Sequence, residues 1–144
     1  MNIQYIYKIG GIHLAVICFA GPPNIFINKK KKDTIYTLCK KLATKYHAAE
    51  FWVSGEGAFD CTAANVILSL KQEICGIKLC MAVLNKQHIN IKTNIKFDKI
   101  ISADIDNKLS NKEKIIKYNE FVISNCDCLI VYNGNFILVE SKNN

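Results

Sequence analysis

The 144-residue chain has the length of one ordinary domain. Half of its residues are hydrophobic, which argues against disorder and supplies a core without staples. Lysine supplies all of the positive charge behind the net +7. With no arginine to fork onto phosphates and bases, nucleic acid is an unlikely partner beyond non-specific attraction of polyanions. No apolar run approaches the about 18 residues of a membrane span, so no membrane partner is expected.

Seven cysteines are scattered along the chain, with Cys18, Cys80, Cys126 and Cys128 inside apolar runs. An odd number of dispersed thiols in a chain with a good core suits a reducing, cytoplasmic setting. Strand alternation would send Cys126 and Cys128 to one face, but no second pair or nearby histidine completes a tetrahedral metal site. No metal ligand is expected.

The segment Met1 to Gly21 contains Gln4, Lys8 and His13 and lacks the charged, apolar, small-residue order of a signal peptide, so it reads as part of the fold. Ile3 to Ile9 alternates and reads as a strand pairing across Gly10-Gly11 with a buried strand, Ile12 to Phe19. The turn Ala20-Gly21-Pro22-Pro23 closes that strand. Lysines 29–32 read as a solvated loop or first turn, with Asp33 as N-cap of a helix through Ile35, Leu38, Leu42 and Tyr46 that His47 closes. Ala49 to Ser54 is a second strand and Gly55-Glu56-Gly57 a turn. Asp60 then precedes a helix from Cys61 to Glu73, with Ala64, Ile67 and Leu68 facing the core. Gly76 ends that helix, and Ile77 to Leu84 is a third strand. Strand, helix, strand, helix, strand points to a parallel sheet.

Residues 85–94 are polar and give no clear element, and Phe97 to Ala103 reads as a helix. Ser110 with Glu113 forms a capping box that opens a helix through Ile115, Ile116, Asn119 and Val122. Cys128 to Tyr132 and Phe136 to Glu140 are strands, and the Asn133-Gly134 link favours an antiparallel hairpin. The expected architecture is a single α/β domain over 1–144: a Rossmann-like three-layer sandwich with a mostly parallel sheet and a C-terminal antiparallel hairpin.

The glycine turn between the second strand and its helix carries the chemical signal. At such a junction free backbone N–H groups and the positive end of the helix dipole point out of the sheet's carboxyl edge, where phosphates bind in open α/β sheets. Glu56 opposes a phosphate if it faces the ligand. Asp60 reads either as a helix cap alone or as a contact to a ribose or similar polar group. His88 lies in the loop after the third strand, beside Gln87, whereas His13 and His47 have no obvious partners. Cys61, at a helix start, is the best reactive-thiol candidate. Ser54 lacks the G-x-S-x-G elbow of a nucleophile, and no catalytic residue is identified.

The stretch Ser54-Gly55-Glu56-Gly57-Ala58-Phe59-Asp60, followed by Ala63-Ala64 and Leu70-Lys71, resembles the G-x-A-x-G-F-D … A … L-K signature of the SLOG superfamily, nearest its YspA/YpsA/YoqJ-like group. Other segments keep that group's order. Cys18-Phe19-Ala20-Gly21 stands where the group has a strand ending in T-G-H-R, and Ala103-Asp104 resembles an A-D that follows the next helix. Lys117 to Val122 resembles R-N-x-x-(M/L)-V, and Asn125 to Ile130 resembles x-S-D-x-L-I. The resemblance spans roughly residues 12–133. It implies a Rossmann-like sheet and a nucleotide or an NAD- or ADP-ribose-derived ligand at the strand carboxyl ends. Pro22-Pro23 replaces the H-R pair, Ala58 replaces a glycine, and only Asn133-Gly134-Asn135 stands where the group has a phosphate loop and a helix.

The expected ligand contacts are Gly21, Ser54, Gly55, Glu56, Gly57, Asp60, His88, Asn119, Asn133 and Gly134. The expected function is a non-catalytic sensor, sponge or regulatory module for such a ligand. The alternatives are a phage or mobile-element inhibitor that binds a protein partner, and a hydrolase of nucleotide glycosidic bonds. The shortened C-terminal part would leave apolar surface that a homo-oligomer buries.

Overall fold

A computed structural model describes residues 14–47, 49–55, 57–86 and 94–140. Along the chain these form β1 (Ala15–Ala20), α1 (Lys29–Tyr46), β2 (Ala49–Val53), α2 (Gly57–Glu73), β3 (Ile77–Val83), β4 (Lys99–Ser102), α3 (Asn111–Asn125), β5 (Cys128–Tyr132) and β6 (Phe136–Glu140). The strands build one six-stranded sheet in the order β4-β3-β2-β1-β5-β6. Every pair is parallel except the β5–β6 hairpin. This is the α/β, Rossmann-like sandwich that the alternating elements and the Asn-Gly turn predict.

The two faces of the sheet are covered unequally. On one, α1 contributes Ile35, Cys39 and Leu42, and α2 contributes Phe59, Ala63, Ala64, Ile67 and Leu70, against Ile17, Phe51, Leu79 and Ile130 of the strands. The other face carries a smaller cluster, Cys18, Trp52, Cys80 and Ala82, against which Tyr118, Phe121 and Val122 of α3 pack. Parallel strands buried on both faces read as continuous apolar runs, and β2, with all five residues buried, is the clearest case.

Four expectations are corrected. Helix α1 starts at Lys29 rather than after Asp33, because Asn28 caps it: its Oδ1 accepts from Lys31 N at 2.9 Å, and its carbonyl accepts from Lys32 N at 3.0 Å. The lysine tetrad is therefore the first turn of a helix, against the macrodipole. Helix α2 likewise starts early, at Gly57, so Asp60 lies inside its first turn and Cys61 no longer opens it.

Phe97 to Ala103 is not a helix; Lys99–Ser102 is strand β4, paired in parallel with β3 from Cys80↔Lys99 to Val83↔Ser102. The open edge of β3 supplies ladder partners that no local pattern encodes. Cys126 and Cys128 point to opposite faces, because Cys126 is the C-cap of α3 and not a strand residue. Cys128 enters the larger cluster, and Cys126 packs on the smaller one.

The capping box stands as read, with Ser110 Oγ accepting from Glu113 N at 3.2 Å. His47 is the C-cap of α1 with φ 55°. The Ile3–Ile9 strand lies outside the described residues. Strand β1 has β2 on one side and β5 on the other, so both of its ladder edges are taken.

Candidate functional site

Strand β1 sits where the chain changes direction. The chain moves outward through β2, β3 and β4, then returns past β1 to place β5 on its far side. Connections diverge at such a switch point and leave a crevice at the carboxyl ends of the strands. A cavity of about 410 Å³ opens there. Phe19, Ala20 and Gly21 at the end of β1, Trp52 to Ser54 at the end of β2, and Ala82 of β3 form its base. Asp60 of α2, with Tyr118, Asn119, Val122 and Ile123 of α3, forms its walls together with Leu129 of β5.

The lining is mostly apolar, with polar side chains from Ser54, Asp60, Tyr118 and Asn119 and no lysine. Asp60 Oδ2 accepts from Ser54 N at 2.6 Å, tying the start of α2 to the end of β2. Burial pushes the Asp60 carboxyl above its ordinary range, and the hydrogen bonds from Ser54 offset part of that rise. The tyrosine on α3 is anchored by its hydroxyl, which donates to Ala82 O at 3.1 Å across the base of the cavity. Trp52 and Phe121 stack with centroids 6.0 Å apart, which braces α3 against β2.

The glycine turn is built for packing. Gly57 has φ 84°, and a Cβ there would sit 2.8 Å from Pro23 O. The same carbonyl accepts from Ala58 N at 2.9 Å, so the Pro22-Pro23 loop caps the first turn of α2 with protein oxygen. A Cβ on Gly55 would meet Met81 Sδ at 2.6 Å, and φ 80° favours glycine there too. One on Gly21 would press on the Phe59 ring at 3.1 Å.

Of the expected contact residues, Gly21, Ser54, Asp60 and Asn119 line the cavity. Gly55 and Gly57 shape the adjoining turn. Asn133 and Gly134 are not among the lining residues: they form the β5–β6 hairpin turn, where Asn133 N donates to Asn135 O at 3.2 Å. Glu56 and His88 lie outside the described residues. The sequence reading missed Trp52, Tyr118, Val122 and Ile123. The α3 residues were legible as a helix, but which of its flanks meets the sheet depends on the β5 register.

Among the described residues no group of three or more His, Cys, Asp or Glu is arranged to hold a metal, and no helix is long and apolar enough to cross a membrane. Beneath α3, the Cys18 thiol faces Cys126. The thiol–thiol hydrogen bond and burial push Cys18 up, and the same hydrogen bond pulls Cys126 below its ordinary value. No protein-family model and no curated protein matches this chain.

Proposed function

We propose that this domain binds a nucleotide-derived small molecule in the switch-point cavity, holding it chiefly by its nucleoside part, as a sensor or sponge rather than a catalyst. The observation that carries the reading is the cavity itself, with the half-buried carboxylate of Asp60 at its wall. A carboxylate beside the carboxyl end of β2 suits the hydroxyls of a ribose, and the apolar lining of Trp52, Val122 and Leu129 suits a flat base. Lysine is missing from the lining, and Pro23 O occupies the first turn of α2, so a phosphate finds little to neutralise it. The order of the SLOG-like motifs supports the same ligand class, with Asn119 as the amide able to read a base edge.

The test is thermal unfolding against adenosine, guanosine, their mono- and diphosphates, NAD and ADP-ribose. A ligand at a hundred times its dissociation constant adds about 2.7 kcal/mol, a shift of several degrees. The expected result is that a nucleoside shifts the midpoint at least as far as its nucleotides, and that Val122→Trp, which fills the cavity, removes the shift. A panel with no active member, or a shift indifferent to Val122→Trp, overturns the reading.

A further inference from the structure

Among the described residues, the sheet face under α3 is only half covered. Phe136 and Leu138 of β6 pack into the larger core cluster, so strand alternation turns Ile137 and Val139 to the opposite face. There they are 46% and 51% exposed, cross-strand from Val131 and Leu129. One flank of α3 faces β4: Lys117, Glu120 and Ser124 border a groove with residues of the 103–109 loop. The other flank carries Ile115, Asn119 and Ile123 at i, i+4 and i+8, with Ile116 beside them. These isoleucines are 59%, 47% and 60% exposed at 115, 116 and 123, and no residue of α3 is fully buried. The result is an apolar trough between α3 and the β6 edge, where a second helix would complete the layer.

We propose that a second copy of this chain fills the trough, the two α3 helices lying antiparallel about a two-fold axis that passes Asn119. The pattern on the flank is its own complement. Turned end for end about Asn119, Ile115 of one copy meets Ile123 of the other, and the two Asn119 amides meet on the axis. An isologous contact requires this property of a surface, and a chance apolar stripe need not have it.

Charge selects the antiparallel arrangement. Lys112 of one helix then lies opposite residue 126 of the other, and the two Lys112 side chains stand about 21 Å apart along the axis. A parallel pairing would set them side by side. The strip is about 22 Å long, the rise of a 15-residue helix, and about 20 Å wide, one helix plus two strand spacings. That projection of roughly 440 Å² is over half of the ~800 Å² of accessible surface per partner in a stable complex, before corrugation is counted.

The association touches the cavity. Asn119 and Ile123 belong to both surfaces, so the second copy lies along the open side of the cavity wall and its Ile115 narrows the mouth. Association itself does not rest on what the cavity binds.

Light scattering on the eluted full chain tests this directly. The expected mass is twice the 16.3 kDa of one chain. Ile116→Lys and Ile137→Lys, on the helix and the strand side of the trough, should each give the single-chain mass while still unfolding in one cooperative transition, at a midpoint that no longer rises with protein concentration as the wild type's does. In a Cys75→Ser background, Asn119→Cys should cross-link to itself within a dimer under dioxygen and a copper catalyst, two thiols giving one disulfide. Lys108→Cys should not. A single-chain mass at the highest soluble concentration overturns the proposal. So does a dimer that survives both lysine variants, or equal cross-linking at 119 and 108. A chain that dimerises only after residues 1–13 are removed also overturns it, by showing that those residues fill the trough.

Discussion

At the scale of single residues, the cavity turns on one half-buried acid. Asp60 has the hydrogen bond of a cap, from Ser54 N, but stands inside the first turn of α2. The site thus carries a desolvated carboxylate whose proton affinity is raised by folding. Such a group favours the folded state most below its ordinary value of 3.8, and that contribution is lost as pH rises through the folded value. Asparagine keeps an acceptor for Ser54 N and carries no charge. Asp60→Asn is therefore expected to melt a few degrees above wild type at pH 7, with the gap closing as pH falls through the folded value and gone below 3.8. Thermal denaturation across that range checks it. A gap that persists in acid would mean that the gain comes from something other than the desolvated charge.

At the scale of elements, β4 is the least expected strand, and the ion pair Glu50–Lys99 explains how it is held. Glu50 on β2 is buried, and Lys99 reaches it from β4 across the intervening β3. Burial alone would raise the Glu50 carboxyl, but Lys99 and the Trp52 indole, which donates to Glu50 Oε1 at 3.1 Å, bring it below its ordinary value. The pair thus contributes stability above about pH 4.5 and loses it as the carboxyl is protonated below that. Lys99→Met removes the cation and leaves the buried charge. The expected cost is about 2 kcal/mol at pH 7, below the usual ~3–5 because Lys99 is partly solvated, with the gap narrowing on acidification. Urea unfolding at pH 7 and pH 4 measures both.

At the scale of the whole molecule, the two layers of helix carry unequal shares of the stability. The α1–α2 side holds the larger apolar cluster, centred on Phe59, whose ring meets Phe19, Tyr132 and Phe136. On the α3 side Phe121 is only partly buried against Trp52. Phe59→Ala is expected to cost about 3–5 kcal/mol and Phe121→Ala about 1–2 kcal/mol by urea denaturation. Equal costs would mean that the second layer is as firmly packed as the first.

Local chemistry determined most of this fold. The apolar runs of β1, β2, β3 and β5, the helical spacing of Ile35 and Leu42, the Ser110–Glu113 box and the Asn133-Gly134 turn each act within a few residues, and each stands as read. The sequence alone also marked Ser54 and Asp60, because a glycine turn between strand and helix has a local signature. Tertiary structure decided the rest. Strand β4 exists because the edge of β3 offers it partners and Glu50 offers Lys99 a charge, and neither is a neighbour in sequence. Gly57 is explained by a carbonyl at Pro23, thirty-odd residues away in the chain, and Cys126 leaves the face of Cys128 because a helix ends there. The cavity walls of Tyr118 and Ile123 were set when β5 returned beside β1, a long-range pairing that periodicity along the chain does not encode.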